Sequence, residues 1–482
     1  MRHLSSLALL LVTALMLASC SGVPGGGCIS NCSSGGTISL VLTATPPSPS
    51  SQLSIQAFTA TITGISLTPS SGSSVPVALT NSSYVAEFNR VTSDSTLLAS
   101  NVSVPGGSYT AMVVAFSAPR VTFCSQPNPG VAGCAAGTLT SVTGNAGSVT
   151  IATNLSISDN QLTGLVLNAN LGTALTQNGQ TITGVDLTAA NALSASTLPS
   201  SSNDLTSGQL AHLDDIMGLV TSVSGSTVTL RTSTRGSVTA TANSSTVYDC
   251  AAANSSCVVS NQIAVMDGIL NSDGTITMTL FQPIIASVDW IEGVVATVPN
   301  SVSNQLTVVA TDAVAATSNS VISGRLNLGD QIVVTLAGSV VPFAIVDKGL
   351  GQTLPVNTFN GSTSVSTINP GMTVAFPVTS YTAQSGATPG STTTTTFVLR
   401  FTRVTTTMAT PSLPDFSTTG SDFPPFFGIS LNQQMRTTNG RLSVDGANGL
   451  TSIPVDNTIS ASALYLGPTA LPQFAAQSVR AH

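Results

Sequence analysis

The sequence predicts an all-β protein, and three observations lead to that prediction. Short runs alternate branched apolar residues with Ser or Thr, as in TISLVLT at 37–43, which is the period-2 pattern of a half-buried strand. Strong helix formers are scarce, because Lys348 is the only lysine and Glu87 and Glu292 are the only glutamates. Turn pairs such as Asn-Gly and Asp-Gly separate the runs. We expect an N-terminal antiparallel β-sandwich followed by two or three small β-barrel or meander modules.

Length and charge bound the classes of protein to which the chain can belong. The 482 residues are enough for about three domains. Hydrophobic residues make up 42% of the chain, so it can bury a sizeable core. Only 6% of residues are charged, against about 25% in an ordinary soluble domain. The net charge of -7 comes without a basic cluster, so we expect no nucleic-acid partner.

The N-terminus has the pattern of a secretory signal peptide over residues 1–19. Arg2 precedes an apolar run over 7–17 that is too short to span a bilayer. The run ends in Leu-Ala-Ser followed by Cys20, which resembles the bacterial lipobox, and this resemblance implies that the Cys20 thiol receives diacylglycerol. Ser21 at the next position implies export to the outer membrane in the same family. The alternative is an ordinary signal peptide in which the cysteine has no such role.

The six remaining cysteines fall into three close pairs separated by long cysteine-free stretches. Local disulfides are the simplest pairing in an oxidising compartment. The predicted bridges are Cys28 to Cys32, Cys124 to Cys134 and Cys250 to Cys257. Zinc binding at the first pair is the alternative, but no second cysteine or histidine pair lies near it. We therefore predict no metal site and no cofactor.

The order of strand and turn patterns divides the chain into segments. A Gly- and Ser-rich tether covers 20–36, the β-sandwich 37–195, and a linker 196–216. The linker contains the one segment that resembles a helix, 204–215, with Asp204 as its cap and three leucines on one face. Barrel-like modules are predicted at 217–287 and 288–369, and a more divergent β module at 370–482. The first two open on Gly218 and Gly293 in a weak internal repeat.

Several stretches resemble one bacterial protein family. They include YVAEFNRVTSDSTLLA and VSVPGGSYT in the first half, and DWIEGVVATV, NLGDQIVV and ALYLGPTALPQFAAQSVRAH further on. Together they are similar to an uncharacterised cell-envelope lipoprotein family. The resemblance implies an N-terminal β-sandwich domain followed by small barrel-like repeats, and it implies no particular activity.

Few residues could carry catalysis or binding. His212 lies close to Asp214 and Asp215, where a metal site is one interpretation and a solvated connector the other. The spacing does not place these side chains on one helical face, and no nucleophile elbow precedes a helix. Trp290 could stack on a sugar or fill a core. The segment DFPPFFG at 422–428 could form an exposed recognition loop or an apolar plug.

Three function classes remain open. The first is a non-catalytic lipid-anchored protein of the outer membrane with a structural or adhesive surface role, its partner being the membrane through the anchor. The second is a module that binds carbohydrate or another envelope component. The third is a hydrolase with a site built from scattered Asp and Ser residues. Scarcity of His, Lys and Glu argues against an enzyme, so we predict the first class.

Overall fold

The computed structural model confirms the all-β fold. It describes residues 35–48, 53–80, 82–125, 134, 138–197, 212–271, 275–284, 288–297, 304–316, 319–337, 343–345, 368–412, 415–419, 422–423, 426–427, 433–437, 443–445, 449–467 and 473–482. Among these residues, helical structure is confined to one α-helical turn, α1 (Leu171–Ala174), and to short 3-10 turns at Arg90–Thr92, Ser255–Cys257 and Leu450–Ser452.

The N-terminal β-sandwich is built from two sheets. Its strands are β1 (Gly36–Thr45), β2 (Ser54–Pro69), β3 (Val75–Val77), β4 (Tyr84–Glu87), β5 (Thr96–Val104), β6 (Gly107–Phe116), β7 (Arg120–Ser125), β8 (Thr138–Thr143), β9 (Gly147–Ile157), β10 (Leu162–Asn170) and β13 (Leu193–Thr197), with a separate hairpin of β11 (Leu175–Asn178) and β12 (Thr181–Val185). The sheet orders are β13-β10-β1-β5 and β8-β7-β2-β6-β9, and β3 and β4 pair with β2. Apolar side chains of both sheets form a single core.

One pairing in the sandwich departs from the antiparallel prediction. β1 runs parallel to β10, in register from Thr37 with Leu162 to Thr45 with Asn170. β1 is buried along nearly its whole length, as strands of parallel sheets usually are. One of its faces lies in the sandwich core, and on the other Val41 packs with residues of the next module.

A small closed barrel follows the sandwich. Its strands are β14 (His212–Ser224), β15 (Thr227–Arg231), β16 (Ser237–Tyr248), β17 (Ile263–Leu270) and β18 (Ile276–Ile284), in the closed order β14-β15-β16-β18-β17. Most neighbours are antiparallel, and β16 pairs with β18 in parallel. The barrel overlaps the module predicted over 217–287, and its first strand begins five residues earlier, at His212.

The prediction of a helix over 204–215 is wrong for the residues of this segment that the structure describes. Residues 212–215 belong to β14, and residues 204–211 lie outside the described part of the chain. In the pairing of β14 with β17, a bulge interrupts the register between Leu213 and Ile216. At this bulge Asp215 takes a left-handed backbone conformation with φ 57. The three leucines that predict a helix include Leu213, which instead pairs with Gly268 of β17, a long-range contact that the local pattern does not show.

A third sheet spans the predicted boundary between residues 369 and 370. Its strands are β19 (Asp289–Val295), β20 (Gln305–Val314), β21 (Gln331–Leu336), β22 (Phe343–Ile345), β23 (Thr373–Val378), β24 (Tyr381–Thr382), β25 (Gly390–Thr394) and β26 (Phe397–Arg400). Their order is β22-β26-β23-β19-β20-β21-β25-β24. β23 pairs with β19 across its whole length, so the stretch GMTVAFPV completes this sheet and does not open a new module.

The last sheet shares a core with the third. It contains β27 (Thr402–Thr410), β28 (Asp415–Thr419), β31 (Gln433–Thr437), β32 (Ser443–Asp445), β33 (Thr458–Tyr465) and β34 (Phe474–Ala481), and a two-stranded hairpin joins β29 (Asp422–Phe423) to β30 (Phe426–Phe427). The sheet order is β31-β28-β27-β33-β34-β32, and β31 also pairs with β34. One apolar cluster runs through both sheets. The side chains of DFPPFFG lie outside the described residues, so its two interpretations stay open.

Candidate functional site

Charged side chains from all four modules meet in one buried cluster. We call this cluster the ionic junction. Its members are Glu87, Arg90, Asp94, Asp215, Arg235, Glu292, Asp312, Arg400 and Arg403. Charged residues are seldom buried unless they are paired. Only 6% of the residues in this chain are charged, so the presence of nine of them in one buried cluster indicates a specific structural or functional role.

Arg90 connects the sandwich to two other modules. It lies on the 3-10 turn between β4 and β5. Its Nη1 donates to Asp312 Oδ2 at 2.9 Å and to Glu292 Oε1 at 3.3 Å, both on the third sheet. Its Nη2 donates to the backbone carbonyl of Asp215 in the barrel. One arginine therefore joins the sandwich, the barrel and the third sheet.

Asp215 connects the barrel to the same neighbours and to the last sheet. Its carboxylate lies 3.5 Å from both Arg90 Nη2 and Arg403 Nη2, and it also forms an ion pair with Arg400. The bulge in β14 turns this residue into the junction, and Asp tolerates the left-handed conformation better than most residues. The Asp215 N–H donates to Asp267 Oδ1 at 2.7 Å, which fixes the bulge against β17.

A second set of bonds gathers around residues 90–95, which we call the hub segment. Arg235 of the barrel forms an ion pair with Asp94 and donates to the carbonyl of Ser95 at 2.8 Å. From the last strand, Arg480 donates to the carbonyl of Val91 at 2.9 Å and to the Ser95 hydroxyl at 2.9 Å. The end of the chain is thus fixed directly to the N-terminal sandwich.

Two glutamates in the junction have strongly perturbed pKa values. Burial raises the pKa of Glu87 to about 7, although its carboxylate accepts bonds from the N–H groups of Phe58 at 2.9 Å and Arg90 at 2.8 Å. Burial also raises the pKa of Glu292 to about 7, against the attraction of Arg90. Both groups would hold a proton more readily in the folded protein than in water.

The junction is arranged to hold modules together. Every member faces a group of opposite charge or a backbone dipole, and its contacts join segments that are far apart in the sequence. Replacing a buried ion pair by apolar residues is often neutral, but removing one partner leaves an uncompensated charge and costs about 3–5 kcal/mol. The arrangement therefore makes the relative position of the modules depend on a few specific side chains.

Two of the three predicted cysteine pairs lie in the described residues, and both are disulfides. The Cα atoms of Cys124 and Cys134 are 5.4 Å apart, and those of Cys250 and Cys257 are 6.4 Å apart. The first bridge is buried against Ala296 and neighbouring residues, so it lies between the sandwich and the third sheet. The other predicted positions, Cys20, Cys28 and Cys32, lie outside the described residues.

The remaining candidate residues from the sequence lie in strand pairing or in the apolar core, or their side chains are outside the described residues. Asp214 and Asp215 lie at the bulge of β14, and the His212 side chain lies outside the described residues. No group of three or more His, Cys, Asp or Glu residues in the described chain could hold a metal ion. Trp290 is 3% exposed and packs among apolar residues such as Met217 and Val314, so it fills the core between the barrel and the third sheet.

The junction is the feature that the sequence analysis missed. Its members are single charged residues within apolar strand patterns, for example Glu292 in DWIEGVV and Arg400 in FVLRFTR. The available signal is a charged residue at an inward-facing position of a predicted strand, in a chain that has few charged residues. It indicates burial, but it cannot indicate which distant segment supplies the partner.

No protein-family model matches the sequence, and a search of curated proteins finds no significant match. Within the described residues, none of the helices has the length and apolar character that crossing a membrane requires.

Proposed function

We propose that the protein is a non-catalytic, lipid-anchored cell-envelope protein with a structural or adhesive surface role. The observation that supports it is the ionic junction, in which arginines and carboxylates of all four modules neutralise one another away from solvent. A catalytic site presents titratable groups to a substrate. Here these groups bond to one another between modules, and such bonds hold the modules in a fixed arrangement.

The anchor gives the proposed location. A diacylglycerol and a further acyl chain on Cys20 would supply the two or more chains that stable membrane attachment needs. The disulfides at Cys124 and Cys250 agree with an oxidising compartment such as the bacterial periplasm or cell surface. We place the protein at the outer membrane on the lipobox resemblance and on Ser21.

The exposed strand faces agree with a surface role. Along β9, Ser148, Thr150 and Asn154 alternate with buried residues and face solvent. Hydroxyl and amide groups can bond to a partner surface without the cost of removing charges from water. A body with such faces would contact other envelope components over a broad area.

Metabolic labelling tests the anchor. Cells that produce the full chain are grown with an alkyne analogue of palmitate, and the purified protein is examined for the label. We expect labelled wild type and unlabelled Cys20→Ala, with Cys28→Ala as a matched control that retains the label. Label on Cys20→Ala would refute attachment at this residue.

A complementation assay tests the role. In a deletion strain, we expect loss of surface attachment or increased detergent sensitivity, restored by wild type and not by Cys20→Ala. Restoration by the unanchored variant would show that the role does not require a position at the membrane. An unchanged deletion strain would refute a structural or adhesive role under those conditions.

Carbohydrate binding is the second candidate, and one groove favours it. A groove of about 540 Å³ on the sandwich is lined by Thr110, Thr153, Asn154 and Ser196 among other residues. Its hydroxyl and amide groups could bond to sugar hydroxyls. Binding of purified envelope polysaccharide that is lost in Asn154→Ala would favour this candidate over the first.

A further inference from the structure

A cavity of about 410 Å³ opens where the sandwich, the barrel and the third sheet meet. Thr61 of β2 lies on one wall, Ser233 of the barrel on another, and Ala313 of β20 on the third. Small-molecule sites commonly have volumes of about 300–1,000 Å³ and are frequent at domain interfaces. The cavity thus has the size and the position of a ligand site, and it does not belong to the ionic junction.

Two buried carboxylates hold the loop that forms the third wall. Asp289 is 3% exposed and accepts bonds from the N–H groups of Val321 at 2.6 Å and Ile322 at 3.0 Å. Asp330 is equally buried and accepts a bond from the Asn327 N–H at 2.9 Å. The loop is therefore fixed by the protein itself, so the cavity needs no ligand to form.

Arg120 is the charged side chain among the residues that line the cavity. It projects from β7, lines the cavity, and donates from Nη1 to Asp330 Oδ1 at 2.6 Å. A guanidinium has five N–H donors in a fixed planar arrangement. The bond to Asp330 uses one donor, on Nη1. The side chain is 21% exposed. The ion pair thus orients the group while other donors remain available.

The rest of the lining combines small apolar side chains with Ser and Thr hydroxyl groups. Ala118, Ile322 and Leu326 contribute hydrocarbon surface beside Arg120. A ligand that satisfies both parts must carry an anionic oxygen pair at one end and an aliphatic body. A carboxylate meets the guanidinium with charge-assisted bonds, which are about twice as strong as neutral ones.

We propose that this cavity binds a small aliphatic carboxylate, with its carboxylate on Arg120 and its hydrocarbon chain against Ala118, Ile322 and Leu326. The proposal is independent of the lipid anchor and of the structural role. It assigns a ligand class to a site that does not depend on the ionic junction.

Calorimetric titration of the purified full chain with octanoate, and with 1-octanol as its neutral counterpart, tests the proposal. A charge-assisted hydrogen bond contributes about 1.5–3 kcal/mol, which corresponds to a preference for octanoate of at least about tenfold. Arg120→Gln should reduce octanoate affinity to that of octanol and leave octanol affinity unchanged. Arg325→Gln is the matched control, because it removes an equal charge from an exposed side chain of the same loop that is not part of the cavity lining.

A second variant keeps the test decisive if Arg120→Gln fails to fold. Ala118 is exposed at the cavity wall, so Ala118→Leu adds bulk to the cavity without disturbing a core. It should weaken both ligands about tenfold or more. Equal affinity for octanoate and octanol, no binding to wild type, or unchanged octanoate binding in either variant would overturn the proposal.

Discussion

Asp215 shows how one side chain can control the contacts between modules. It faces the guanidinium groups of Arg90, Arg400 and Arg403, and its own side chain is fully buried. Its backbone reaches this position only through the bulge of β14. Charge, burial and conformation at one residue therefore depend on each other.

We expect Asp215→Asn to lower the free energy of unfolding by about 3–5 kcal/mol, because it removes one counter-charge from the buried guanidinium groups of Arg90, Arg400 and Arg403. Urea denaturation of the full chain measures the change. Asp456→Asn is the matched control, since Asp456 is exposed and shares the left-handed conformation, with φ 67 against φ 57 at Asp215. The control should stay within about 0.5 kcal/mol. Because Asn tolerates the left-handed conformation as readily as Asp, the comparison isolates the charge, and similar losses in both variants would contradict a special role for the Asp215 carboxylate.

Glu87 leads to a prediction about pH. Its pKa rises from 4.5 to about 7 on folding, so the folded protein binds more protons than the unfolded chain between these values. Its contribution to stability is therefore complete below about pH 4.5 and is lost as pH rises through about 7. In Glu87→Gln the free energy of unfolding should fall less than in wild type over this range. Urea denaturation at a series of pH values checks this, and parallel curves would contradict it.

At the scale of secondary structure, the sequence predicts local features well and pairing poorly. Alternating runs and turn pairs identify hairpins such as β14–β15 and β19–β20, because both strands and the turn lie within one short stretch. The pairing of β19 with β23 joins residues about eighty positions apart, and no local pattern records it. The helix predicted over 204–215 rests on a cap residue and three leucines, and this local pattern does not show that residues 212–215 pair with β17 about fifty positions away. The partners of the charged residues in the junction could not be predicted either, because they also lie far away in the sequence.

Gly293, one of the two glycines aligned in the internal repeat, tests an element-level requirement. A Cβ atom at this position would collide with the carbonyl oxygen of Val309 on β20. Gly293→Ala should therefore destabilise the protein by about 1–3 kcal/mol through displacement of the paired strand. Gly64→Ala in β2 is the control, because a Cβ atom there meets open space. A stable Gly293→Ala variant would mean that β20 can move without loss of packing.

At the scale of the whole molecule, residues 35–482 form one compact unit although four modules can be distinguished, namely the sandwich, the barrel, the third sheet and the last sheet. Apolar clusters explain part of this, since one runs through the third and last sheets and another joins the barrel to the third. The sandwich shares a small apolar cluster with the barrel through Val41 and Val166, and it is also joined through the hub segment and the buried disulfide at Cys124. Polar contacts that require a fixed geometry therefore add to the apolar ones in making the sandwich unfold with the rest.

Arg90→Leu separates these contributions, because it removes the side chain that joins the sandwich to the barrel and the third sheet. Trp290 is the only tryptophan and is buried between the barrel and the third sheet, so its fluorescence reports on that region. Circular dichroism reports on all sheets.

In wild type we expect the two signals to give the same urea transition, as a single cooperative unit requires. In Arg90→Leu we expect the transitions to separate, whereas Arg325→Leu on an exposed loop should keep them together. Coincident transitions in Arg90→Leu would mean that the apolar contacts and the disulfide are sufficient, and that the junction fixes the geometry of the modules without controlling their cooperativity.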